Sequence, residues 1–80
     1  MPYITPKNRF RLAETKTPIT AGELNYFITM MLKDYWNDAP HSYQRINDII
    51  GACEGAKAEF QRRVVAGYED RKKEENGDVY

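Results

Sequence analysis

Between Leu24 and Val64 the apolar residues recur at helical spacing, and this pattern constrains the fold more than any other feature of the chain. Leu24, Phe27, Ile28, Met31, Leu32 and Tyr35 fall on one stripe at i, i+3, i+4 and i+7. Thr20-Ala21-Gly22-Glu23 precedes it in the form of a capping box. There the threonine hydroxyl and the glutamate carboxylate can each satisfy a free backbone N–H. Asn37-Asp38-Ala39-Pro40 stops the pattern, so a helix is expected over about 21–36. A second stripe runs through Ile46, Ile49, Ile50, Cys53, Phe60 and Val64, with Ser42 as its expected cap. The stem of Lys57 fills the gap between Cys53 and Phe60. This second helix is expected over about 43–66 and continues, or kinks at Gly67, through to 75, where Asn76-Gly77 supplies a stop. No segment alternates with a period of two over a strand's length. The fold class is all-α: a helical hairpin in which the two stripes share a core.

Residues 1–19 carry three of the four prolines and read as an N-terminal arm with one short helix. Thr5 is its cap and Pro6 its first residue, since proline's missing N–H is not needed there. Residues 76–80 form a C-terminal tail. The whole, 1–80, is expected to be a single small helical domain. Eighty residues bury a thin core, which favours a homo-oligomer.

The long helix offers a second face. Asn47, Gly51, Glu54, Gly55, Ala58, Arg62 and Val65 lie away from its apolar stripe, and the small residues among them let another helix approach closely. Either the N-terminal arm or a second subunit covers that face. In an antiparallel pair centred near Ala58, Glu54 of one chain faces Arg62 of the other.

Catalytic and metal constellations are missing from the sequence. One histidine, His41, and one cysteine, Cys53, exclude an internal disulfide and the Cys/His zinc sites. Cys53 sits on an apolar stripe, where it acts as a small hydrophobe. Neither a catalytic residue, a metal nor a cofactor is expected, and the chain does not read as an enzyme. Twelve basic residues against twelve acidic ones give zero net charge, which disfavours nucleic-acid binding as the main activity. No apolar run reaches the ~18 residues needed to span a bilayer, and no signal peptide is evident, so the expected location is the cytoplasm. A small anionic ligand needs only two or three converging cations. Arg45, Lys57, Arg62 and Arg63 are the candidate cations, and Tyr26, Tyr43 and Tyr68 the candidate stacking rings.

Several segments resemble an uncharacterised family of small proteins found in tailed phages and in bacterial and archaeal genomes. They are Met1-Pro2-Tyr3-Ile4, Ala21-Gly22-Glu23-Leu24-Asn25-Tyr26 and Arg45-Ile46-Asn47. The run Glu59-Phe60 with Arg62-Arg63 and the ending Glu75-Asn76-Gly77-Asp78-Val79-Tyr80 belong with them. The chain departs from the family pattern at Gly55, often cysteine, at Gln61, often aromatic, and at Gly67, often proline. The resemblance implies a phage or phage-derived origin and a stoichiometric binder. Such a protein would be host-directed or anti-defence, sequestering a small nucleotide-like anion or inhibiting a host protein. In a host, its place would be the host cell cytoplasm. A nucleic-acid-associated regulator and a minor virion or assembly component are the alternatives. The ending Asp78-Val79-Tyr80 is expected to be docked or recognised.

Overall fold

The computed structural model describes residues 4–77 and divides into two compact units, Met1–Ser42 and Tyr43–Tyr80. Every regular element among the described residues is helical.

The first unit holds α1 (Pro6–Thr15) and α2 (Ala21–Asn37). α1 begins as the sequence dictates: Thr5 Oγ1 accepts the Asn8 N–H at 3.1 Å, with Pro6 in the first turn. It ends at Lys16, whose φ of 55° turns the chain left-handed so that its N–H reaches Leu12 O at 2.8 Å. α2 opens with Thr20 Oγ1 accepting the Glu23 N–H at 3.0 Å. The reciprocal half of the capping box is absent, because Glu23 turns its carboxylate elsewhere: it accepts from Ile19 N at 3.3 Å and from the Arg11 guanidinium. Arg11 also donates to Thr17 O at 3.2 Å, which ties α1 to the connection between the two helices. Glu23 is 3% exposed. Beside it, Leu12 is 2% exposed and is the one buried apolar residue among those described.

The second unit is one helical run from Tyr43 to Asn76. It consists of α3 (Tyr43–Phe60), a π-helical segment (Gln61–Val65) and α4 (Ala66–Asn76). Of the two outcomes expected at Gly67, the helix continues rather than kinks there. The irregularity lies just upstream, where the Ala66 N–H bonds to Gln61 O, five residues back. Gly67 sits inside α4, where its missing Cβ would meet nothing within 4 Å, so no steric need for a kink arises. The stop at the end is as expected: Gly77 has φ 82°, open chiefly to glycine, and its N–H closes on Lys73 O at 2.8 Å.

No described residue of the second unit is buried. Taken by itself, this unit leaves Ile50 and Phe60 58% and 59% exposed, as an open stripe. The reason is architectural: one helix has no second layer of its own against which to close. Its spacing is informative all the same. Ile46, Ile50, Cys53, Lys57 and Phe60 succeed one another at steps of four and three, the 3.5-residue period of a helix seam.

Candidate functional site: a pocket between α1 and α2

α1 and α2 enclose a concavity of about 360 Å³. Its floor is apolar, made by Leu12 and Ala13 from α1 and Phe27, Met30 and Met31 from α2. Arg9 and Lys16 stand on the α1 side, while Tyr26 and Asp34 come from α2. The placement comes from local structure. Arg9 lies on α1 and Lys16 at its left-handed C-terminal cap, and both line the pocket. Tyr26, Met30 and Asp34 are spaced at steps of four along α2, so they share a face. The left-handed turn at Lys16 and the Arg11–Glu23 ion pair close the connection that holds the helices together.

Arg9 spends one N–H on Ile4 O at 3.1 Å. A guanidinium carries five donors, so most of its capacity remains. Phe27, Met30 and Tyr26 are half-buried, whereas Arg9, Lys16 and Asp34 are exposed at the rim. The site thus pairs an apolar bed with two cations on one wall and a carboxylate on the other. A flat or chain-like body can lie on Phe27 and Met30, an anionic group can meet Arg9 and Lys16, and a polar N–H can meet Asp34.

Of the seven side chains expected to bind a ligand, Tyr26 is in this pocket and the other six belong to the second unit. Tyr43, at the first position of α3, is 87% exposed. Arg45 is half-buried and Lys57 is exposed. Arg62 and Arg63 do come together, but on Glu59: Arg62 Nη2 lies 3.1 Å and Arg63 Nε 2.9 Å from Glu59 Oε2. Arg63 first and Arg62 second hold the Glu59 carboxyl below its ordinary pKa. Tyr68 has the Lys72 ammonium 5.6 Å from its ring centre.

On the expected interface face, Asn47, Glu54 and Ala58 are exposed, and a Cβ at Gly51 or Gly55 would meet nothing within 4 Å. Arg62 is already engaged by Glu59, and Val65 is half-buried. Sequence reasoning missed Arg9, Lys16 and the floor. Both helices were readable, but that α2 would face Arg9 and Lys16 was not. The expected docking of Asp78-Val79-Tyr80 lies outside the described residues. Among the described residues no cluster of metal-ligating side chains forms, and no helix is long and apolar enough to cross a membrane.

A family model described as "Domain of unknown function (DUF6899)" matches residues 1–79. The chain belongs to this family. Membership spans both helical units and agrees with the resemblance to an uncharacterised family. No curated protein and no solved structure matches the chain.

Proposed function

We propose that the protein acts by stoichiometric binding, holding a small anionic, nucleotide-like molecule in the pocket between α1 and α2. The observation that carries this reading is the pairing of an apolar bed with Arg9 and Lys16 on one wall and Asp34 on the other. A planar ring lies on Phe27 and Met30 beside Tyr26, its phosphate meets the two cations, and an exocyclic amine donates to Asp34. The resemblance to small phage proteins supports a host-directed, anti-defence use of such sequestration in the host cytoplasm. A second reading, inhibition of a host protein, is favoured by the large apolar side chains exposed on α2, Leu24, Ile28, Met31 and Tyr35.

Calorimetric titration with adenosine and guanosine monophosphates and dinucleotides tests the first reading. We expect saturable one-to-one binding, weakened about tenfold by Arg9→Ala or Lys16→Ala. A parent that binds none of these at millimolar concentration, or variants that bind as the parent does, would refute it.

A further inference from the structure

We infer that the helical run Tyr43–Asn76 pairs antiparallel with the same run of a second copy, and that the π-helical segment sets the register. The face concerned is the open seam of α3, opposite in character to the small-residue face of Gly51 and Gly55.

Charge fixes the direction. Lys57 sits within the seam, so a parallel, in-register pair would set it against its own copy. An antiparallel pair with its twofold axis near residue 55 places Lys57 beside Cys53 of the other copy and within reach of the neighbouring Glu54. Both Glu54 and Lys57 are exposed and form no ion pair among the described residues, so each is available. The same axis sets Ile50 against Phe60, which are both more than half exposed.

The π segment decides the pairing farther out. A turn closed five residues back inserts one residue into the α-helical count and rotates the downstream residues by about 100°. Without it, Ile46 would face Val64 and Tyr43 would face Gly67. With it, Ile46 faces Val65 and Tyr43 faces Tyr68. Tyr43 and Tyr68 are 87% and 53% exposed. The insertion brings each to the other's copy.

A double-mutant cycle tests the pairing, because Tyr43 and Tyr68 are 25 residues apart, about 37 Å along one helix, and cannot touch within a chain. Sedimentation equilibrium of the full chain should show a dimer. Tyr43→Ala and Tyr68→Ala should each weaken it about tenfold, and the double variant scarcely further. Lys57→Glu should weaken it too, and Glu54→Lys added to Lys57→Glu should restore it. Restoration would not occur in a parallel pair, where position 57 still meets itself. A parent that is monomeric at 0.5 mM (about 5 mg/mL for a chain of 9.4 kDa), additive tyrosine effects, or failure of the charge swap to restore assembly would each overturn the proposal.

Discussion

The Arg11–Glu23 ion pair joins α1 to α2, and its removal offers the sharpest test of how the first unit holds together. Glu23 is almost wholly buried, with its side chain 4% exposed, while Arg11 keeps 31% of its side chain in solvent. Arg11→Met preserves the aliphatic stem and removes the charge. The carboxylate is then left with the Ile19 N–H, and that bond is 3.3 Å long. Breaking a buried pair from one side costs about 3–5 kcal/mol. Water admitted along the exposed part of Arg11 reduces this to about 2–3 kcal/mol. Replacing both residues with methionine removes the stranded charge, so Arg11→Met/Glu23→Met should be more stable than Arg11→Met alone. In urea unfolding, with m near 1 kcal/mol/M for so small a chain, the single variant should lose about 2 M from its midpoint. The double variant should recover at least half of that loss. A single variant within about 0.5 kcal/mol of the parent, or a double variant less stable than the single, would refute the claim that Glu23 depends on Arg11.

Local geometry sets two further outcomes. Lys16→Gly relieves a left-handed φ of 55° and should raise stability by up to about 1 kcal/mol while weakening ligand binding in the pocket; thermal unfolding and calorimetry on one sample separate the two effects. Arg63 and Arg62 depress the Glu59 pKa, so their contribution is present above the ordinary carboxylate pKa and is lost as pH falls through the lowered value. Side-chain NMR titration should therefore place the Glu59 midpoint below that of a free glutamate, and Arg63→Gln should move it upward.

The helix ends were legible because they depend on side chains close in sequence. Thr5 with Pro6, Thr20 before Glu23, and Gly77 after Asn76 each act within four residues, and each stands where the pattern put it. Glu23 shows the limit of that legibility. As a capping residue it was readable, but its carboxylate answers to Arg11, 12 residues away, through a turn whose left-handed residue is a lysine. The pocket was hidden for the same reason: Tyr26 was visible as a ring, whereas Arg9 and Lys16 face it only once that turn is set. The π segment left no mark at Gly67, since one displaced backbone bond needs no special residue type.

Trp36, the chain's single tryptophan, stacks on its single histidine, His41, with ring centres 3.9 Å apart and planes 16° from parallel. Both rings lie in the first unit, so its indole fluorescence is an optical signal from that unit alone. Ellipticity at 222 nm reports both units, α1 and α2 with 10 and 17 helical residues and the run Tyr43–Asn76 with 34. One spectrometer therefore watches the first unit and the other the whole melt. Coincident traces would mean that the halves of the chain unfold as a single cooperative event, and separated traces that one half can lose its structure while the other keeps it.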